Sequence, residues 1–315
     1  MALAIVVENW RPSDLRDALV RLAPGREVRV WPEQTADLAA IDYALVWQPP
    51  PGALAGMPNL KAIFSLGAGV DAILCDATIP RHVPLVRVVD PDITARMTAY
   101  VVLQVLLHHR EQLRLLANQR QRVWHTFATT APASTRVGIL GFGHLGRHAG
   151  RALAGLGFAV AGWSRTRKRV PGVESFAGPA ELDAFLARTD VLVVLLPHTP
   201  ETTGILDRSL IRRLSRTGPL GAPVVINAGR GKLQVAADIL AALDAGELAG
   251  ASLDVFEHEP LPPEDPLWSH PGVVISPHQA ADSEPEAISR YVLSQIERFE
   301  RGEGLSHQVD RGRGY

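Results

Sequence analysis

The chain opens with short apolar runs separated by amphipathic stretches. Residues 4–8, 27–31, 43–47, 62–65 and 85–89 read as strands, and intervening segments such as 13–22 carry helical spacing. Strand and helix signals in alternation predict parallel βαβ units. From 94 to 122 the apolar positions Met97, Val101, Val102, Val105, Leu106 and Leu115 recur on a helical period, with no glycine or proline between them. That pattern predicts one long helix, of a kind suited to joining two domains. Residues 129–134 read as a loop.

A second series begins at Thr135. Residues 136–140, 159–163, 191–196, 224–227, 251–255 and 273–276 are short apolar runs without polar alternation, as expected of strands covered on both faces. Helical patterns at 144–156, 179–188, 209–214 and 236–245 separate them. Six such strands make a full doubly wound sheet. A last helix at 284–301 lies beyond them and could return to the first domain. The expected fold class is therefore α/β, with two doubly wound parallel-sheet domains. A Rossmann domain at 99–283 would then be inserted in a flavodoxin-like domain made of 1–98 and 284–315.

Length and composition agree. The chain has 315 residues, too many for one typical core. Hydrophobic residues make up 46% and the net charge is −1, so neither disorder nor a basic field for nucleic acid or anionic lipid is expected. The lone cysteine, Cys75, excludes an intrachain disulfide and a cysteine-based zinc site, and reads as a small apolar helix residue. No apolar run approaches the ~20 residues of a membrane helix. The N-terminus lacks a basic leader and turns polar at Glu8. A cytoplasmic setting is expected.

Gly141-Phe142-Gly143-His144-Leu145-Gly146 follows one predicted strand and opens a helix. In a dinucleotide-binding loop Gly141 would permit the turn, Gly143 would admit the pyrophosphate and Gly146 would let helix and strand pack closely. The helix N-terminus would face the phosphates. The next strand ends in Ser164-Arg165-Thr166-Arg167-Lys168. An NAD enzyme usually carries an acid there for the ribose hydroxyls. A hydroxyl followed by cations instead fits a 2′-phosphate, held by Arg165 with Ser164, Thr166, Arg167 or Lys168 in support. The expected cofactor is NADPH, with NADH weaker; a solvated basic loop is the plainer alternative.

Ligands of open α/β sheets bind beyond the carboxyl ends of the strands. Three segments there carry chemistry. Asn227-Ala228-Gly229-Arg230-Gly231 frames an arginine between glycines, able to aim a planar fork of donors at a carboxylate. Glu257-His258-Glu259-Pro260 follows the strand ending near Val255, and His278 follows the last strand. A carboxylate beside a histidine favours its protonated ring, and so a proton donor near neutral pH.

These blocks together resemble the D-isomer-specific 2-hydroxyacid dehydrogenases over essentially the whole chain. Further matching blocks are Ser65-Leu66-Gly67-Ala68-Gly69-Val70-Asp71, Leu195-Leu196-Pro197-His198-Thr199-Pro200-Glu201-Thr202 and Leu253-Asp254-Val255-Phe256. The segments 163–168 and 308–315 narrow the resemblance to the bacterial glyoxylate/hydroxypyruvate reductase A group. It implies that Arg230 binds the substrate carboxylate and polarises the keto oxygen. His278 is then the general acid, and Glu259 rather than Glu257 is its partner. Leu66, Gly67, Ala68 and Gly69 would approach the substrate. Leu196, Pro197, Thr202, Asn227, Ala228, Gly229 and Asp254 would line the cofactor, Asp254 holding the nicotinamide carboxamide. His198 receives no role. Trp47 is a candidate for the substrate pocket or, equally, a core aromatic. The implied activity is NADPH-dependent reduction of small 2-keto acids, such as glyoxylate and hydroxypyruvate, to 2-hydroxy acids. No metal is expected, and the implied assembly is a homodimer to which the long helix and the Trp124 region contribute. A sister dehydrogenase with another substrate and a non-catalytic NADP-sensing module remain as alternatives.

Overall fold

The structure, a computed structural model, describes residues 1–8, 10–34, 37–282 and 284–315. The expected boundary at Ser283 lies outside these. The chain forms two compact units, Met1–Ile93 with Ser283–Tyr315, and Thr94–Asp282.

The first unit is built on β1 (Ala2–Val7), β2 (Glu27–Val30), β3 (Ile41–Trp47), β4 (Ala62–Ser65) and β5 (Leu85–Val86), with α1 (Pro12–Leu22) and the short α2 (Asp71–Leu74). All pairings are parallel, in the order β2-β1-β3-β4-β5, which is the flavodoxin-like order. Alternation along β1 feeds two cores. Leu3 and Ile5 pack with Leu15 and Leu19 of α1, whereas Ala2, Ala4 and Val6 pack with Ile63, Ile73 and Leu85. Cys75 is exposed at the end of α2, so the expectation of an apolar helix residue is corrected.

The 94–122 helix is not continuous. It consists of α3 (Pro91–His109) and α4 (Gln112–Gln121), and Glu111 between them is left-handed at φ 49°. Met97, Val101 and Val105 of α3 are core residues, but α4 buries none of its side chains. The helical period therefore has a packing cause only in the first half, and no glycine or proline marks the break.

The second unit adds β6 (Arg136–Leu140), α5 (His144–Gly155), β7 (Ala159–Ser164), β8 (Glu174–Ala177), α6 (Leu182–Ala187), β9 (Val191–Val194), α7 (Arg208–Arg212), β10 (Val224–Asn227), α8 (Ala236–Asp244), β11 (Gly250–Leu253) and β12 (Val273–Ile275). The sheet has seven strands rather than six, all parallel, in the order β12-β11-β10-β9-β6-β7-β8. The unanticipated strand is β8. It lies at the sheet edge and is nowhere fully buried, so its sequence Glu-Ser-Phe-Ala carries no apolar run. The last helix is α9 (Pro285–Glu300), whose Ile288, Val292, Leu293 and Ile296 pack on Leu3, Ile5 and Tyr43 of the first unit.

A polar stripe runs down α3 at four-residue spacing, through Tyr100, Gln104 and His108, on one helix face. Ser252 of β11 donates to Gln104 (2.8 Å) and its oxygen lies 2.8 Å from Nε2 of His108. With the serine proton committed to Gln104, His108 donates through Nε2. Gly250 makes room for this ring, since a Cβ there would lie 2.8 Å from His108 Cε1. Burial pushes the His108 pKa down to about 4.

The fold thus favours neutral His108, and the sign of the linkage follows. The unfolded chain takes up the proton near pH 6.5 and the folded chain only near 4, so stability is complete above 6.5 and falls as the pH drops toward 4. The loss between pH 7.5 and 5 from this group is about 2 kcal/mol. We expect the thermal midpoint of His108→Gln to fall less steeply over that interval than that of the parent protein. Parallel slopes would contradict it.

Candidate active site

One row of residues crosses the large sheet: Ile275, Leu253, Asn227, Val194, Leu140 and Trp163 pair in succession. Asn227 stands in this row, and the other candidate residues of the second unit lie beyond it, at the carboxyl ends of the strands.

Beyond β6 the three glycines differ in what surrounds them. Gly141 has φ +108°, and a Cβ there would lie 2.5 Å from the Leu195 carbonyl carbon. Its N–H and that of Phe142 bond the Trp163 carbonyl (3.1 and 2.9 Å), tying the turn to β7. A Cβ on Gly146 would lie 2.4 Å from the Gly141 oxygen. A Cβ on Gly143 meets nothing within 4 Å, and no side chain caps α5. The open space over Gly143 and the uncapped helix start fit the pyrophosphate of a dinucleotide. His144 stands at the head of α5, its Nε2 3.1 Å from the Thr94 hydroxyl and its ring beside that of His148, with Leu145 next to it. Gly162 was not anticipated; it leaves space for the Phe142 ring, which a Cβ would meet at 2.2 Å.

Beyond β7, Ser164 donates to the Thr166 carbonyl (2.9 Å) and Lys168 to the Thr166 hydroxyl (2.8 Å). Arg167 is engaged by Glu181 and the Ser175 carbonyl. Arg165 is exposed and within electrostatic reach of Glu201. The Glu201 carboxyl is held below the usual range, chiefly by the Thr199 hydroxyl and in smaller part by Arg165. Beyond β9, the Thr202 hydroxyl closes its own loop by donating to the Pro197 carbonyl (2.8 Å), beside nearly buried Leu196. His198 bonds Thr203 (2.9 Å).

Beyond β10, buried Asn227 shapes the loop that carries Arg230. Its amide donates to the Arg230 carbonyl (3.1 Å) and to Gln234 (2.8 Å), and its oxygen accepts from Gly229 N–H (3.0 Å). Ala228 N–H bonds the Val194 carbonyl (3.2 Å). A Cβ on Gly231 would lie 1.9 Å from the Phe256 carbonyl carbon, so this glycine sets the loop directly against the segment beyond β11. There Glu259 accepts from Phe256 N–H (2.9 Å) through Oε1 and meets His278 Nδ1 (2.7 Å) through Oε2. Glu257 and His258 are exposed. Burial raises the Glu259 pKa. The hydrogen bonds from His278 and Phe256, with the charges of His278 and Arg230, outweigh burial and leave it below the usual carboxylate range. An arginine, a carboxylate and an imidazole thus share one locality. Nδ1 of His278 faces Glu259, so its proton transfer to a ligand would use Nε2.

Asp254 is 1% exposed. Its carboxylate accepts from the Ser276 hydroxyl (2.6 Å) and from Gln279 and Ala280 N–H (3.0 Å each). In the first unit the Trp47 ring lies against Gly67, where a Cβ would meet it at 2.5 Å. Leu66 N–H bonds the Val46 carbonyl (2.8 Å), and Ser65 donates to the Gly69 carbonyl (3.1 Å), closing the turn that holds Ala68. Trp47 and residues 66–69 therefore form one patch at the ends of β3 and β4.

Residues 102–280 match the family described as D-isomer specific 2-hydroxyacid dehydrogenase, NAD binding domain. The chain belongs to the D-isomer-specific 2-hydroxyacid dehydrogenases. It is 43% identical over 297 residues to glyoxylate/hydroxypyruvate reductase A of Yersinia enterocolitica, covering 93% of both chains. An NADPH-dependent glyoxylate/hydroxypyruvate reductase from Sinorhizobium meliloti, solved with NADP and sulfate, superimposes with a TM-score of 0.96 at 47% identity, covering 100% of this chain and 99% of that one. A D-isomer specific 2-hydroxyacid dehydrogenase from Xanthobacter autotrophicus, solved with NADPH, gives 0.93 at 39% identity and the same coverage. Among the described residues no helix is long and apolar enough to cross a membrane.

Two glycines of this dehydrogenase should respond oppositely to alanine. Gly231→Ala forces backbone against backbone and should lower the thermal midpoint by more than about 5 °C. Gly143→Ala should leave it near the parent value. Equal midpoints in a melting comparison would contradict the account of the loop.

Proposed function

We propose that this dehydrogenase reduces small 2-keto acids, glyoxylate and hydroxypyruvate among them, to 2-hydroxy acids with NADPH. The observation that carries the reading is the Glu259–His278 pair in electrostatic reach of Arg230, beyond the same sheet edge as the open Gly143 turn. NADPH supplies the hydride for C2 of the keto acid. Gly141, Gly143, His144, Leu145 and Gly146 hold its pyrophosphate, and Ser164, Arg165, Thr166 and Lys168 face its 2′-phosphate. Leu196, Pro197, Thr202, Asn227, Ala228 and Gly229 line its path. Arg230 binds the substrate carboxylate and stabilises the charge that grows on the carbonyl oxygen. His278 delivers the proton to that oxygen from Nε2, and ionised Glu259 stabilises its charged ring. The turn at Leu66, Gly67, Ala68 and Gly69, with Trp47 against it, is assigned to the substrate.

We also propose a homodimer. Leu103, Leu115, Leu116 and Val123 are large exposed apolar side chains in one segment of the chain, and Trp124 is 96% exposed. An apolar surface of this kind fits a second copy.

Falling NADPH absorbance with glyoxylate or hydroxypyruvate tests the reaction, and no turnover with any 2-keto acid would refute it. His278→Ala should lower kcat by roughly 10²–10⁴-fold. Arg165→Asp should reduce kcat/KM with NADPH while sparing that with NADH. For the assembly, sedimentation should give twice the chain mass, reduced to the single mass by Leu116→Asp with Trp124→Asp.

A further inference from the structure

Among the groups that the proposed reaction leaves unused, one hydrogen-bonded chain ends at the catalytic loop. His278 has φ 54°, a left-handed backbone that a non-glycine residue keeps only where its surroundings impose it. The surroundings are those of Asp254. Its carbonyl accepts from His278 N–H (2.8 Å), and its buried carboxylate takes Gln279 N–H, Ala280 N–H and the Ser276 hydroxyl. Both sides of His278 are thereby pinned by one residue. The Ser276 bond, at 2.6 Å, is the shortest of the set, as expected of a hydroxyl donating to a carboxylate.

Ser276 has one proton, and Asp254 takes it. The Tyr100 hydroxyl, 3.0 Å from Ser276 Oγ, must then donate to it. Tyr100 is suited to remain a donor, because burial, with the charge of Asp254 in support, pushes its pKa up to about 12. The order of donation is therefore fixed from Tyr100 on α3, through Ser276, to the carboxylate that shapes the His278 turn. The carboxylate has about four acceptor sites and three are used, so a further donor from a bound cofactor is still accommodated.

We propose that Tyr100 and Ser276 are positioning residues for His278, acting through Asp254 to hold its imidazole against Glu259. The proposal rests on the role of His278 given above. It concerns residues that do not touch the substrate, and it separates the Tyr100–Ser276 pair from its neighbour on the same helix face. Gln104 is bonded to Ser252 within the sheet, with no link to the 276–280 turn.

The test uses the full-length protein with Ser276→Ala, Ser276→Thr, Tyr100→Phe, the Tyr100→Phe/Ser276→Ala double variant and Gln104→Leu. Three quantities are measured: kcat with NADPH, the dissociation constant of NADPH by fluorescence, and the NMR signal of the His278 Nδ1 proton in cofactor-free protein. Ser276→Ala should lower kcat about tenfold with NADPH binding changed less than about twofold, as expected when orientation is lost but not binding. The NMR signal of its His278 Nδ1 proton should broaden or move toward that of a free imidazole, because the ring is no longer held to Glu259. Ser276→Thr should restore both. The double variant should be no worse than Ser276→Ala, since both changes cut one chain. Gln104→Leu should lower the thermal midpoint and spare kcat. Unchanged kcat and His278 Nδ1 signal in Ser276→Ala, or a loss of kcat matched by weaker NADPH binding, would overturn the proposal. Should the parent protein reduce no keto acid, the functional reading fails by itself. The His278 Nδ1 signal then decides positioning alone: a change in Ser276→Ala supports it and no change overturns it.

Discussion

Hydrogen bonds pair Asn227 with Leu253, and Leu253 with Ile275, so β10, β11 and β12 end level with one another. Each strand then releases a different chemical group at the same edge: the Arg230 loop, the Glu259 loop and the His278 turn. A slip of one residue in either pairing would turn the neighbouring side chains to the other face of the sheet and part the three groups. Near-continuous apolar burial on both faces resists such a slip, since every residue of β10 and β11 is buried. The site is in this sense a consequence of strand register, and the loops need only cover a short distance.

Close backbone approach completes the arrangement. Gly231 has no side chain because the Phe256 carbonyl occupies the place where one would be. Phe256 N–H in turn bonds Glu259, which bonds His278. Arg230 is linked to the imidazole through this sequence of short contacts. The same logic holds beyond β6, where Gly141 and Gly146 are filled in by backbone and Gly143 is left open.

The sequence made much of this readable. Parallel βαβ order and the clustering of candidate residues at strand ends follow from periodicity and strand-end chemistry. Other features were hidden for physical reasons. β8 is an edge strand with no face fully covered, so it leaves no apolar run. The break at Glu111 has no glycine or proline to mark it. The stripe of Tyr100, Gln104 and His108 is polar within an apolar helix, so its four-residue spacing adds nothing to the apolar period. Asp254 entered only through the family resemblance, and its hold on the 276–280 turn depends on Ser276 and on backbone N–H groups that no motif displays.

The central claim is that Arg230 and His278 address one ligand. It is tested most directly by a crystal structure with NADP and oxamate, an unreactive mimic of a 2-keto acid. The Arg230 guanidinium should lie on the oxamate carboxylate, with Nε2 of His278 within hydrogen-bond distance of its carbonyl oxygen. Oxamate bound elsewhere, or with His278 turned away from Glu259 and from the carbonyl, would contradict it.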